Sequence, residues 1–455
     1  MRFISIPHKD MPAKFKAPKN NMSRVSKIEG WNMKDIQKVA KSKRTGLIKY
    51  NNSISLLKQR KNYCEYLMCY RATLPCSSKG ARPKEPREPP HKLSMWDTNW
   101  NSCWDGVGFC VIKVYEDGKV KVKNDMVPVH ETTHVLDARL VFWRDDFHLI
   151  YNRYTKKGWY PDTNPALENC YKYPGQGLCI TMETHPIKIT KNGIQSLGEP
   201  RILCRDKHTR FEKNWSIVLP QQKKRLIHYS FIPQMKFLES DHIEGGERKD
   251  YCNWKIAPRS DFFMKLQTLY GKVLPPVAAN GIAVTTPLVD FDKDHWIGIG
   301  RIKVDYKKLD LTNKGSLRNT KLGKFMNLLR IMLGIPSVEP AEWFKYSRHM
   351  HDTLVYFSFF YTVNKKTLSI GQFSPAYLPQ CPDVNYFSTI CFPMAIQPFT
   401  KGKFAIGIGI ADIDCGIITI SRDEIRKMMV YSNRSRVSDF DFQIQTFENP
   451  LAHFS

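Results

Sequence analysis

No stretch of this 455-residue sequence reaches the about 18 consecutive apolar residues of a membrane-spanning helix. The first residues, MRFISIPHKDMPAKFK, lack the apolar core of a secretory signal. The twelve cysteines form no CxxC pair and no close set with histidine, which excludes the common zinc modules and gives no disulfide framework. Cys69, Cys110 and Cys391 lie inside apolar runs, where a thiol behaves as a small hydrophobe. Together these absences point to a soluble chain in a reducing compartment, read as cytoplasmic. Acidic residues are also scarce. The chain has 70 Lys/Arg against 43 Asp/Glu and a formal net charge of +27. The first fifty residues alone hold 13 Lys/Arg and 3 Asp/Glu. Such a balance attracts polyanions or phosphate-bearing ligands, or simply solvates a surface.

With 42% hydrophobic and 12% aromatic residues, the chain has the means to bury a large core. One plan recurs in it: a polar cluster, an apolar run, a polar turn, and a second run rich in Tyr, Ile and Phe. It appears in Asn51–Arg71, Leu136–Arg153, Glu212–Phe231, Thr285–Ile302 and Phe392–Ile410. Read alone, Leu136–Arg153 also fits a helical stripe, because periodicity does not separate short apolar runs. The repetition decides the matter. A helix would not place a charged or Gly-bearing break at the same point five times, so each unit reads as a β-hairpin. The markers Asn52, Asp137, Asn214 and Thr286 are spaced by roughly 70–85 residues, and Met394 follows after a longer step. Sheets repeated in this way protect their edges by closing around an axis. The fold class is therefore all-β: a five-bladed β-propeller with a basic N-terminal arm and a short helical insertion in blade four. Two β-sandwiches built from the same hairpins remain the alternative.

The domain plan places a basic arm at 1–45, the propeller at 46–430 and a tail at 431–455 that pairs with an N-terminal strand to close the ring. Residues 77–92, SSKGARPKEPREPPHK, read as an extended Pro-rich loop. Gly108–Lys123 is a hairpin with an Asp117-Gly118 turn. The helical insertion covers about 314–350, with Lys321–Leu333 carrying the apolar stripe. Ser421 to Glu424 matches a capping box that opens a short helix.

His130-Glu131-Thr132-Thr133-His134 is a literal HExxH, the zinc peptidase pattern. Pro128 and the β-branched Thr132, Thr133 and Val135 oppose the helix such a site needs, and no clear third ligand follows. The match is read as accidental, with no metal and no cofactor expected. The leading polar clusters of the repeats carry the chemistry instead. Asp137 and Arg139 are two apart on an inner strand and face one side, which suits either a buried ion pair or a site at the channel mouth. Glu212-Lys213-Asn214-Trp215 combines acid, base, amide and indole, a set that suits the hydroxyls and face of a sugar. Thr285-Thr286-Pro287 with Arg301 holds the equivalent region of blade four, and Asp412 and Asp414 that of blade five.

These motifs are similar to landmarks of one family. NNSI (Asn51–Ile54), LDAR (Leu136–Arg139), EKNW (Glu212–Trp215), FFYT (Phe359–Thr362), FSPAYLP (Phe373–Pro379) and ADIDC (Ala411–Cys415) resemble those of five-bladed β-propeller β-mannoside phosphorylases and related mannosyltransferases. The likeness spans roughly residues 46–425. In that family an Asp in a Glu-Asp-Pro-Arg motif delivers a proton to the glycosidic oxygen through a sugar hydroxyl. The resemblance implies that Asp137 is the acid or base and that Arg139 orients sugar or phosphate. It implies substrate contacts from Asn52, Arg71, Glu212, Lys213, Asn214, Thr286, Arg301, Asp412 and Asp414. Leu136 and Ala138 depart from the family's Glu and Pro, and Gly300-Arg301 stands where phosphorylases have Gly-His. The last departure fits a transferase with an altered donor site. One carboxylate without a nearby partner implies inversion at the anomeric carbon. The implied activity is an inverting glycosyltransferase that builds a β-linked, mannoside-like sugar on a glycan acceptor from a nucleotide sugar or sugar phosphate. A glycoside phosphorylase or hydrolase on the same propeller is one alternative. The other is a non-catalytic propeller binding glycan, protein or nucleic acid, with polyanion contact through the basic arm.

Overall fold

Short runs of β-branched and aromatic residues, each broken by a polar turn, pair with themselves before they pair with anything distant. The computed structural model describes residues 2–6, 48–76, 101–126, 135–143, 146–156, 178–190, 193–198, 200–202, 216–218, 225–231, 235–240, 252–256, 282–305, 354–374, 391–410 and 414–431. Their strands form five antiparallel sheets. The N-terminal strand β1 (Arg2–Ile6) belongs to the last of them. Blade one is β2 (Ile48–Gln59), β3 (Tyr63–Cys76), β4 (Asn101–Tyr115) and β5 (Val120–Met126). Blade two is β6 (Val135–Trp143), β7 (Asp146–Lys156) and β8 (Leu178–Thr190), with β9 (Gly193–Ser196) and β10 (Arg201–Ile202) both on β8. Blade three is β11 (Ser216–Val218), β12 (Arg225–Ser230), β13 (Lys236–Ser240) and β14 (Cys252–Ile256).

Blade four holds β15 (Ile282–Val284), β16 (Val289–Asp290), β17 (His295–Asp305), β18 (Leu354–Asn364) and β19 (Ile370–Phe373). Blade five holds β20 (Cys391–Pro398), β21 (Lys403–Ile410) and β22 (Asp414–Ser421). After them come the helix α1 (Arg422–Met428) and β23 (Val430–Tyr431), which returns to pair with β19 of blade four. The expected capping box is present. The Ser421 side chain accepts from the Glu424 N–H at 3.1 Å, and the Glu424 carboxylate accepts from the Ser421 N–H at 2.7 Å. Gly118, with φ at +85°, makes the expected turn between β4 and β5. No helix among the described residues is long and apolar enough to cross a membrane.

Each sheet packs on two others, and the contacts close a ring. Leu67, Phe109 and Val111 of blade one meet Leu140, Leu149 and Tyr151 of blade two in one buried cluster. Val141, Ile150 and Met182 of blade two meet Ile217, Ile227 and Leu238 of blade three in another. Between blades three and four, His228 donates to or accepts from the Tyr361 hydroxyl at 3.1 Å and stacks on Phe237. Phe291 and Phe404 stack across blades four and five with ring centroids 6.2 Å apart. Between blades five and one, Ala405, Cys415 and Ile417 meet Tyr66, Met68 and Ile112 in one buried cluster. The five-bladed propeller is the observed architecture. Cys69 and Cys110 are fully buried, as small hydrophobes are.

The closing strand is β1. Arg2–Ile6 pairs along β22, and Ile4 and Ile6 enter the core shared by blades five and one. The arm expected over residues 1–45 therefore begins as the outermost strand of blade five. The apolar Ile4 and Ile6 gain far more from burial there than from water. The tail beyond Tyr431, the Pro-rich loop at 77–92, the HExxH segment and the helical insertion lie outside the described residues.

Candidate functional site

Inner strands in this ring do not run straight. β2 changes register between Tyr50 and Ser53, β6 between Leu136 and Arg139, and β20 between Pro393 and Ala395. A bulge of this kind re-aims side chains and is frequent beside binding sites. The markers Asn52, Asp137 and Met394 fall on these three irregularities. At two of them the backbone is left-handed, with φ at +52° for Asn51 and +50° for Asp137. Asn and Asp tolerate this region better than other side chains.

The two bulges face one another. The Asn51 Nδ2 donates to the Asp137 Oδ1 at 3.3 Å. Asn51 is buried, whereas Asp137 is half-buried and keeps access to solvent. Arg139, only 1% exposed, passes from blade two to blade four, where its Nε donates to the Thr285 carbonyl at 2.7 Å. Its Nη1 donates to the Asp137 carbonyl at 3.2 Å. Its Nη2 is buried and has no hydrogen-bond partner among the described residues. Burial lowers the Arg139 pKa to about 10, the Asp137 charge pulls it back up, and the Arg301 charge pushes it further down. The guanidinium remains protonated at neutral pH, a buried cation with a donor to spare.

Blade four braces this cation. The Thr285 and Thr286 N–H groups both donate to the Ile299 carbonyl, at 3.1 and 3.3 Å. The Thr285 hydroxyl donates to the same oxygen at 2.6 Å, and the Thr286 hydroxyl accepts from the Ile299 N–H at 2.9 Å. The turn is thus rigid, and the Thr285 carbonyl is held facing Arg139. Arg301, half-buried on β17, lies over the Phe392 ring of blade five at 4.6 Å. Cys69 sits behind the site, its Sγ 3.5 Å from the Ala138 carbonyl. Burial pushes that thiol up to about 12, which removes it as a nucleophile at neutral pH.

The structure therefore brings Asp137, Arg139, Arg301 and the Thr285-Thr286 turn together where blades two and four meet. Asn52 goes elsewhere. Fully buried, its amide donates to the Gly416 carbonyl at 3.2 Å and accepts from the Gly416 N–H at 3.3 Å, tying blade one to blade five. A Cβ on Gly407 would come within 2.6 Å of the Asn52 carbonyl, so the glycine permits this approach. Arg71 lies on β3 opposite Tyr50, beside the Asn51 bulge. Asp414 is the first residue of β22, opposite Ile410. Glu212, Lys213, Asn214 and Asp412 lie outside the described residues. Sequence reasoning missed Asn51. Its signal was the paired Asn51-Asn52 ahead of a strand, which left open which amide faces the axis. Among the described residues no group of three His, Cys, Asp or Glu side chains could hold a metal ion.

No family model matches the chain, and no curated protein matches it. Solved structures do. A β-1,2-mannobiose phosphorylase from Listeria innocua, in complex with β-1,2-mannobiose, is 8% identical with a TM-score of 0.44, over 85% of this chain and 94% of that one. MPT-1, a GDP-Man-dependent mannosyltransferase from Leishmania mexicana, is 11% identical with a TM-score of 0.42, over 84% and 86%. MPT-4, a mannose phosphorylase from Leishmania mexicana in complex with a phosphate ion, is 9% identical with a TM-score of 0.39, over 85% and 88%. Likenesses this remote assign no activity to the chain.

Proposed function

We propose that the chain is a carbohydrate-active enzyme, an inverting glycosyltransferase that takes its sugar from a phosphate-bearing donor at the axial site. The observation that carries this reading is the half-buried Asp137 set against a buried guanidinium whose Nη2 has no hydrogen-bond partner among the described residues. A neutral sugar alone gives such a cation nothing to balance. A phosphate leaving group does, because charge grows on its oxygen as the bond to the anomeric carbon breaks.

In this mechanism the acceptor hydroxyl attacks the anomeric carbon from the face opposite the phosphate. Its proton passes to the Asp137 carboxylate. The bond from carbon to the phosphate oxygen breaks, and its electron pair leaves with the phosphate. Arg139 and Arg301 take up the developing negative charge. One displacement inverts the anomeric carbon, whereas retention would need a second carboxylate as nucleophile about 5 Å away. β-Mannosides are the product class that the motif resemblance implies. Run with inorganic phosphate as the attacking group, the same arrangement gives phosphorolysis, in which Asp137 supplies the proton to the departing sugar oxygen. The cationic floor serves both readings.

The test is a thermal-shift screen of nucleotide sugars, sugar 1-phosphates and short unphosphorylated mannosides. A ligand at a hundred times its Kd stabilises the folded form by about 2.7 kcal/mol. A phosphate-bearing donor should raise the melting temperature, and Arg139→Met should remove the shift. Equal shifts from phosphorylated and unphosphorylated sugars in both proteins would contradict the reading. Release of sugar 1-phosphate from a mannoside and inorganic phosphate, with no turnover of nucleotide sugar, would select phosphorolysis.

A further inference from the structure

The Asp137 carboxylate has two oxygens, and among the described residues only Oδ1 is tied. We infer that Asn51 is a positioning residue. Its amide holds Oδ1 of Asp137, so that Oδ2 is the oxygen that exchanges a proton with substrate. This rests on the role proposed above for Asp137, and it adds the element that orients that carboxylate.

Three observations converge on Asn51. The amide Nδ2 is 3.3 Å from Oδ1 of Asp137, and Oδ2 makes no hydrogen bond among the described residues. Asn51 is 3% exposed and carries a left-handed backbone, φ +52°, in a bulge that mirrors the Asp137 bulge. Its side chain is thus committed to one place before any ligand arrives. The seat beneath it is glycine. A Cβ on Gly409 of blade five would lie 2.8 Å from the Asn51 Cγ and 2.9 Å from its Cα, closer than packed atoms allow. The neighbouring Asn52 cannot serve, since Gly416 engages both ends of its amide. Blade one supplies the positioning group, blade two the carboxylate and blade five the surface on which the amide rests.

An amide that touches the carboxylate and not the sugar leaves a distinct signature. A carboxylate misplaced by about 1 Å costs on the order of 10²-fold in rate. Asn51→Gly keeps the left-handed backbone free of strain and removes only the amide. Asn51→Asp keeps the shape and removes the donor, and it serves where the glycine variant does not fold. Gly409→Ala displaces the amide from the opposite side.

The experiment combines kinetics with a crystal structure of the variant. The expected result is a fall of about 10²-fold in kcat with KM for the donor unchanged. In an Asp137→Asn background, the Asn51 substitution should then add no further loss. The crystal structure should show the residue 137 carboxylate rotated from its native place. Two results would overturn the inference. One is an unmoved carboxylate. The other is a loss of donor affinity of equal size with and without Asp137, which would make Asn51 a sugar ligand in its own right. Should the protein turn over no sugar at all, the proposed function fails, while the carboxylate position still decides the role of Asn51.

Discussion

Replacing Asn52 by alanine removes the amide that binds blade one to blade five while removing no contact to Asp137, Arg139 or Arg301. The magnitude follows from two hydrogen bonds to Gly416, at 3.2 and 3.3 Å, in a residue with no exposed surface. Each such bond contributes about 0.5–1.5 kcal/mol net, and a buried partner left unsatisfied costs about 1–3 kcal/mol. Gly416 lies between β1 and β21 within its sheet, so part of that cost is recovered by its strand neighbours. A loss of about 2–4 kcal/mol is expected. With roughly 2.1 cal/mol/K of unfolding entropy per residue, 455 residues give about 1 kcal/mol per kelvin, so the midpoint should fall by about 2–4 °C. Differential scanning calorimetry reads the midpoint, and titration with a phosphate-bearing sugar reads the site. Melting should fall while affinity stays within about twofold, since Gly416 engages both ends of the Asn52 amide and the amide makes no contact with Asp137, Arg139 or Arg301 among the described residues. An unchanged midpoint with lost affinity would refute the reasoning and make Asn52 the substrate residue that the family resemblance implies.

The buried cation gives a second contrast. Arg139→Met removes charge at similar volume and should leave stability within about 2 kcal/mol, whereas Arg139→Ala, which opens a cavity, should cost about 2–5 kcal/mol in chemical denaturation. Deleting residues 1–6 strips Ile4 and Ile6 from the core, and at about 1.5–3 kcal/mol each the loss should reach about 3–6 kcal/mol. It also bares the edge of β22, so light scattering should report association. An unchanged denaturation midpoint would mean that β1 does not close the ring. Asp292 carries a pH prediction. Burial pushes its carboxyl up, but the Asp294 N–H, the His295 ring and the His295 N–H bring it below the ordinary 3.8. A depressed acid contributes stability above its unfolded pKa and loses it as pH falls through the folded one. Wild type should therefore exceed Asp292→Asn in melting temperature above 3.8, and the gap should close on further acidification.

The ring was legible because its units repeat. The polar markers Asn52, Asp137 and Met394 land on bulges, where an extra residue breaks the apolar alternation and shows in sequence as a polar cluster before an apolar run. The Ile-Gly-Ile-Gly runs of blades four and five were visible too, although their reason lies in neighbours. Gly407 and Gly409 meet Asn52 and Asn51 of another blade, which no local pattern reports. The closing strand was harder. Five residues, RFISI, pair with β22 some four hundred residues away, and strand propensity does not name partners. Choosing between Asn51 and Asn52 was beyond alternation altogether. On a regular strand the two would face opposite sides, but in a bulge only the backbone dihedrals decide. Arg139 lies on β6, yet its reach across to Thr285 is a tertiary fact that no local pattern reports.

The chemistry stands on Asp137, and one side-by-side comparison addresses it. Asparagine is tolerated at a φ of +50°, so Asp137→Asn changes the charge and spares the backbone. Sugar transfer and the melting midpoint should be measured on the same preparations. The expected pair is a rate reduced by about 10²–10⁴-fold with a midpoint within about 1 °C of wild type. An undiminished rate, or a midpoint lowered by several degrees, would instead make Asp137 a structural partner of Arg139 and contradict the account.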